Sequence, residues 1–510
     1  MLTKTQPDEI QDFLIDASHM RGGHAESVVF PETVADVAAV LADASAARTP
    51  VTVSGAGTGT VGGRVPFGGI VVATDRLNHI RSVIRKNEDG GRATTEAGVR
   101  LTELQRAVDA EELFYPPDPT EGSCFMGGTV ATNASGARTF KYGSTRNYVE
   151  RLQIALASGD VIDLRRGELR ANSSGQITIP VSRGNAIKAQ LPSYRMPATR
   201  KHAAAYYVDR EMDVLDLFIG SEGTLGVIIE VELKLLRKPQ GVMSGVVFFQ
   251  AEEKLLTFVR EARASSLLTR QRRQSAVEDG ENPSASETID ARVLEFFDRE
   301  SLGFLRQKYE TIPEEAGGAI FFEQETTGQN EDGLMESWLQ LMERHEALAE
   351  ESWFAIDEKD QAKLREFRHQ LPVLMNEWFA RYGQQKVSTD MAVPDEQFPE
   401  MLQFYQQALR GGELRYTIFG HIGDNHVHVN ILPRDDHEAA LAREIYLKFI
   451  RRAVALGGTI SAEHGIGKLK SKYLRELYGE AHLREMTALK HAFDPAGILG
   501  RGNMFESSLA

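Results

Sequence analysis

The side chains best suited to chemistry crowd into Gly420-His421-Ile422-Gly423-Asp424-Asn425-His426-Val427-His428-Val429-Asn430. Apolar residues on either side read as two short strands meeting at Asp424-Asn425, two residue types that tolerate the positive φ of a tight turn. A two-residue loop there sets His421 opposite His428, with Cβ atoms about 4.5–5.5 Å apart. From that separation two imidazoles can reach one divalent cation. Alternation puts His426, His428 and Asn430 on one face and Val427 and Val429 on the other. On these residues alone, a histidine-rich surface hairpin is the alternative.

A second run, Ser461-Ala462-Glu463-His464-Gly465-Ile466-Gly467, places a carboxylate beside an imidazole among small residues. That suits a crowded site. Glu463 can complete a His/His/Glu set that leaves coordination positions open, the catalytic kind of metal site. His464 is then free to act as a base.

Three glycine-rich stretches carry a different chemistry. Gly55, Gly57, Gly59, Gly62 and Gly63 follow strand-like Val51 and Val53. Thr60 stands where a nicotinamide-dinucleotide fingerprint needs its third glycine, and no closing acidic residue is evident, so that fold is rejected. Successive glycines still let backbone N–H groups converge on an anion such as a diphosphate. A mobile surface loop is the alternative. The second stretch, 116–149, includes Gly127-Gly128-Thr129 and Asn133-Ala134-Ser135-Gly136, where a flat ring can lie against backbone. The third is Gly220-Ser221-Glu222-Gly223-Thr224-Leu225-Gly226.

The elements that must hold these groups are legible in outline. Thr33 with Asp36 three residues on can cap a helix whose stripe is Val37, Val40 and Leu41, closed by Pro50. Strands are expected at 51–53, 71–75 and 227–236, and a helix at 101–113. Lys238-Pro239 reads as a domain boundary. Polar stretches at 165–205 and 270–290 read as surface loops or insertions. Strand-like and helical runs alternate from about 240 to 460. The expected organisation is therefore 1–238, 239–460 and a C-terminal segment 461–510.

Bulk properties narrow the function. The 510 residues carry a formal net charge of −15, which argues against nucleic acid as a partner. One cysteine, Cys124, rules out an internal disulfide, a cysteine-ligated iron–sulfur cluster and a cysteine-based zinc site. No stretch approaches the ~20 apolar residues of a membrane span. The expected location is the cytoplasm, with peripheral attachment to the inner membrane left open.

The three glycine-rich segments, in this order and spacing, resemble the FAD-binding half of the FAD-linked oxidase superfamily of vanillyl-alcohol oxidase type. The two histidine-bearing motifs resemble its branch of D-lactate dehydrogenases, D-2-hydroxyglutarate dehydrogenases and the glycolate oxidase flavin subunit. That branch typically has Gly-His-x-Gly-Asp-Gly-Asn-x-His and then Gly-Glu-His-Gly-x-Gly. Here Asn425-His426 stands where Gly-Asn is usual, which leaves His426 a surplus imidazole. The resemblance implies an α+β fold: a two-lobed FAD-binding domain of PCMH type plus an α+β substrate (cap) domain with an antiparallel sheet.

The same resemblance implies roles. Ser54, Gly55, Ala56, Gly57, Thr58 and Gly59 hold the diphosphate of FAD. Pro117, Asp118, Gly127, Gly128, Thr129, Asn133, Ser135, Gly136, Glu222, Gly223, Val227 and Ile228 line the rest of the cofactor. No histidine stands in the 54–63 loop and Cys124 lies outside the bicovalent motif, so FAD is expected to be non-covalent. His421, His428 and Glu463 bind one divalent metal, zinc first, manganese or iron next. His464 is the base. Asn430, Arg368 and Lys470 face the substrate, a guanidinium such as Arg368 being able to grip a carboxylate with two bonds. Lys386 is a second candidate cation for that carboxylate, although the family's lysine aligns with Ser388 instead. The implied activity is oxidation of a small D-2-hydroxy acid: D-lactate first, then D-2-hydroxyglutarate or glycolate. A separate acceptor takes the electrons, whether an electron-transfer protein, a cytochrome or a quinone. A flavin-carrying electron-transfer subunit without hydroxy-acid oxidation of its own is the alternative.

Overall fold

The computed structural model describes residues 1–87, 90–181, 185–278 and 288–506. Thr33 and Asp36 form a reciprocal capping box that starts the helix Val34–Ala47. Its Val37, Val40 and Leu41 recur on one face and are buried. They cover a sheet in which Ser27–Phe30, Ile70–Ala73 and Val51–Ser54 run parallel, with Leu2–Lys4 antiparallel at the edge. The C-terminal tail closes over the same core. Ile498 and Leu499 join it, and Val51 exchanges backbone bonds with Ile498 and Gly500.

The next sheet is antiparallel and centres on Val227–Arg237, which pairs with Gly90–Glu96 on one side and Val149–Ala155 on the other. Strictly alternating burial along Ile229–Leu235 buries one face, and the short helix Met126–Ala131 packs against it. The glycine-rich stretches leave the ends of these two sheets: residues 55–63 follow Val51–Ser54, and 220–226 lead into Val227–Arg237.

Beyond residue 240 the strands form one antiparallel sheet. Its order is Trp353–Ala355, Gly241–Phe249, Gly318–Thr326, Ala291–Asp298, Tyr416–Gly420, His428–Ile431, Val387–Ser388. Its two faces bury different helices. Val246, Phe248, Val293, Phe297 and Phe321 pack with Leu364, Phe367 and Leu371 of helix Glu358–Tyr382. The alternate residues Val247, Phe249, Leu294, Phe296 and Phe322 pack with Leu255, Phe258 and Trp338 of helices Glu252–Glu278 and Glu331–Arg344. A sheet covered on both sides needs near-continuous apolar strands. Every residue of Ala291–Asp298 is buried accordingly.

Two expectations about loops are corrected. Residues 270–278 continue the helix Glu252–Glu278, while 279–287 lie outside the described residues. Charge there marks partners, not a loop: Arg270 and Arg273 both pair with Asp290, and Arg270 also donates to the Phe140 carbonyl. Within 165–205, Gln176–Pro180 and Ala186–Gln190 form an antiparallel hairpin that buries Ile177 and Ile179; 182–184 lie outside the described residues. Among the described residues, no helix is long and apolar enough to cross a membrane.

Candidate active site

Strands Tyr416–Gly420 and His428–Ile431 pair with Phe419 opposite His428, two residues out of the expected register. The expected two-residue turn at Asp424-Asn425 is a longer connection built on a 3-10 turn, Ile422–Asp424, and only Asn425 has positive φ, at 52°. The cause is a clamp from another element. Arg263 donates at 2.6 Å to both the Ile422 carbonyl and the Asn425 side chain, whose amide donates to Asp395 at 2.6 Å. A slip of two preserves which side chains share a face. His421 still meets His428, with ring centroids 5.5 Å apart.

Glu463 lies between them: His421 Nε2 and His428 Nε2 are each 3.2 Å from its Oε1. The outer nitrogens are tied. His421 Nδ1 is 2.6 Å from Glu295, and His428 Nδ1 is 3.0 Å from the Thr389 carbonyl. An acceptor on each outer nitrogen directs the inner lone pairs at a carboxylate, an arrangement that wants a positive charge between them. Burial opposes charge on His421, yet Glu295 and Glu463 outweigh it and lift the imidazole to about 9. Glu463 itself is held well below the usual carboxylate range despite burial, by Lys201 and the histidines. Metal-binding histidines characteristically have such outer-nitrogen partners. The donor set fits a divalent cation, with His426 in the same cluster.

Asp390, fully buried, builds the adjoining loop. It accepts from the backbone N–H of Glu463 at 3.2 Å and of His464 at 3.0 Å, from Ser461 Oγ at 2.6 Å and from Lys470 Nζ at 2.7 Å. His464 stacks on His428, with centroids 5.3 Å apart and planes 13° apart, and its Nδ1 is 3.4 Å from Asp390. Burial lowers His464 to about 4, so at neutral pH it is an uncharged proton acceptor.

Of the expected substrate contacts, Lys470 donates to Asp390 at 2.7 Å and to Ser461 Oγ at 3.0 Å, which ties it to this loop. Arg368 donates to Glu295 at 3.2 Å, on the other side of the carboxylate that orients His421. Asn430 is buried, and its Oδ1 has no hydrogen-bond partner among the described residues. Lys386 is exposed beside Val387–Ser388, and among the described residues no ion pair ties it to this cluster.

Three further participants escaped the sequence reading. Lys201, with no exposed side-chain surface, lies 3.1 Å from Glu463 Oε2 and donates to the Gly136 carbonyl at 2.8 Å. Nothing in the polar run Arg200-Lys201-His202 distinguishes it. Glu295 and Asp390 left a fainter signal, a lone carboxylate within or bordering an apolar run.

A cavity of about 340 Å³ opens beside the cluster, with Glu463 and His464 in its wall. Gly55, Ala56, Gly57, Thr58 and Gly59 line it, as do Gly127, Gly128, Thr129, Ser135, Glu222, Gly223 and Ile228. At Gly55, Gly59 and Gly128 a Cβ would meet no atom within 4 Å, so backbone there faces open space. That suits a diphosphate and a flat ring lying against the chain. Ser54, Pro117, Asp118, Asn133, Gly136 and Val227 are not among the residues that line this cavity. Ser54 and Val227 are fully buried, and Asp118 pairs with Arg138 at 3.5 Å. Asn133 accepts from the Arg146 N–H, and a Cβ on Gly136 would strike the Asp118 carbonyl at 1.9 Å. Cys124 also lines the cavity, its thiol pushed up to about 12 by burial, and Asn503 brings the tail into the wall.

Residues 25–165 match the family model of an FAD binding domain, and 271–504 that of the FAD linked oxidases, C-terminal domain, together roughly three-quarters of the chain. The chain is 29% identical to a D-lactate dehydrogenase of Anaerostipes hadrus, over 98% of this chain and 93% of that one. It is 27% identical to glycolate oxidase subunit GlcD of Bacillus subtilis (strain 168), over 96% and 91%. It is also 27% identical to a D-2-hydroxyglutarate dehydrogenase of Xanthomonas citri pv. viticola, over 99% and 94%. In fold it resembles 4-ethylphenol oxidase from Gulosibacter chungangensis, with TM-score 0.66 at 16% identity, over 99% of this chain and 94% of that one. The chain belongs to the FAD-linked oxidases and is an FAD-linked oxidoreductase with the mixed helix-and-sheet fold of vanillyl-alcohol oxidase-type flavoproteins.

Proposed function

We propose that this chain oxidises a D-2-hydroxy acid to the 2-oxo acid, with D-lactate the first candidate and D-2-hydroxyglutarate and glycolate next. The observation that carries the reading is the convergence of His421, His428 and Glu463 in one cluster, beside His464, on the wall of the cavity lined by the glycine-rich segments. The names of the relatives point to the same substrate class.

When bound, non-covalent FAD takes up hydride and a divalent cation, zinc first among candidates, supplies Lewis acidity. His421, His428 and Glu463 would hold the cation. His464, uncharged and fixed through its backbone by Asp390, accepts the substrate hydroxyl proton. Arg368 supplies the guanidinium for the substrate carboxylate, and Asn430 Oδ1, without a hydrogen-bond partner among the described residues, is an acceptor beside His428. Residues 1–238 carry the flavin, 239–460 cap the substrate, and 461–510 bring Glu463 and His464 back to the first unit. Electrons leave to a separate acceptor, and the enzyme works in the cytoplasm.

Anaerobic mixing of the FAD- and metal-loaded protein with each of the three acids tests this. Bleaching of the flavin by at least one of the three acids, slowed about 10²–10⁴-fold in His464→Gln, is the expected result. A flavin that stays oxidised with all three refutes the reading.

A further inference from the structure

We infer that His426 is a third imidazole ligand of the metal centre, giving this chain a three-histidine, one-carboxylate site. The inference rests on the metal reading above and changes its composition. The relevant position is the one where the motif departs from the pattern it resembles, histidine in place of asparagine.

The geometry repeats what His421 and His428 show. In each of those rings one nitrogen meets an outer oxygen and the other faces Glu463. His426 is placed alike, though without the outer hydrogen bond: Nε2 lies 3.1 Å from Asp390 Oδ1, and Nδ1 faces Glu463 Oε2 at 3.9 Å. The ring is completely buried, and neither of its nitrogens has a hydrogen-bond partner among the described residues. A buried imidazole nitrogen without a partner is costly. A cation shared with its neighbours satisfies it. One ligand atom from each of His421, His426, His428 and Glu463 lies within 4.8 Å of the other three. The ring centroids of His426 and His428 are 4.5 Å apart, and those of His426 and His421 5.4 Å.

Four protein ligands instead of three leave fewer positions for substrate. A nitrogen-rich set also moves preference from manganese and magnesium toward cobalt, nickel and zinc. His426→Asn restores the asparagine of the pattern and removes one imidazole.

The test uses the full-length, FAD-loaded protein, stripped with a chelator and titrated with Co²⁺ and with Zn²⁺ against a chromophoric competitor. His426→Asn is expected to bind both ions at least ten-fold more weakly and to lose intensity in the visible Co²⁺ bands as water replaces nitrogen. His421→Asn is the control for the underlying reading and should bind weakly as well. Unchanged affinity and spectrum in His426→Asn, with binding lost in His421→Asn, overturns the third ligand and leaves the proposed function standing. Wild type that binds neither ion overturns both. X-ray absorption on zinc-loaded wild type needs no variant: three imidazoles support the inference and two refute it.

Discussion

Glu295 offers the most informative perturbation because one buried carboxylate serves two groups. Its Oε1 lies 2.6 Å from His421 Nδ1 and its Oε2 accepts from Arg368 at 3.2 Å, with only 4% of its side chain exposed. Burial alone would raise this carboxyl, yet His421 and Arg368 outweigh it and bring it to about 2. Glu295→Gln keeps an acceptor for His421 but strips Arg368 of its counter-charge; Glu295→Ala removes both. Breaking a buried ion pair from one side costs about 3–5 kcal/mol. Against a typical stability of about 5–15 kcal/mol, the variants should be less stable but folded. Losing the outer partner of a metal-binding histidine lowers affinity about 10–100-fold, equivalent to about 1.4–2.7 kcal/mol. The alanine variant should show that full loss and the glutamine variant a smaller one. Chelator competition gives the affinities, and urea unfolding of the metal-free proteins gives the stability. Wild-type metal affinity in Glu295→Ala would refute the assignment of Glu295 as the group that orients His421.

His464→Gln should slow flavin reduction about 10²–10⁴-fold, with flavin content and metal affinity retained, as measured by anaerobic stopped flow. Gly128→Leu should cut bound flavin at least ten-fold, because its side chain enters the open space beside the helix Met126–Ala131. Its metal-free, flavin-free Tm should hold or rise, since glycine is a poor helix residue by about 1 kcal/mol. Asp298, the buried cap of helix Arg299–Leu305, is raised by burial from 3.8 to about 7. Folded protein then keeps a proton that unfolded chain releases between about pH 4 and 7, so stability falls as pH rises through that window. Asp298→Asn keeps the cap, and should gain up to about 4 kcal/mol on wild type between pH 4 and 8 in urea unfolding. Equal pH slopes would remove Asp298 from the account.

Local signals carried far in this chain. Thr33 and Asp36 specified a helix start through groups three residues apart, and the structure contains that capping box. The pairing of Phe419 with His428 was not legible, because Arg263, about 160 residues away in the chain, holds the turn open. Strand parity survived, so the histidines still meet. Lys201 and Lys470 show the limit most clearly. One lies in a run of charges and the other follows the Glu-His motif, yet both ammonium groups are buried on partners that only the fold supplies: Glu463 for Lys201, Asp390 for Lys470. A cation's use, whether for substrate or for bracing a loop, is decided by which carboxylate reaches it first. The polar helix at 270–278 misled for the same reason: its arginines answer Asp290.

Anomalous diffraction at the zinc edge from crystals of the FAD- and zinc-loaded protein examines the centre most directly. A single strong peak about 2.0–2.2 Å from His421 Nε2, His428 Nε2 and a Glu463 oxygen, facing the flavin, is the predicted result. A fully zinc-soaked, flavin-bound crystal with no peak there, or with zinc bound only elsewhere, would contradict it.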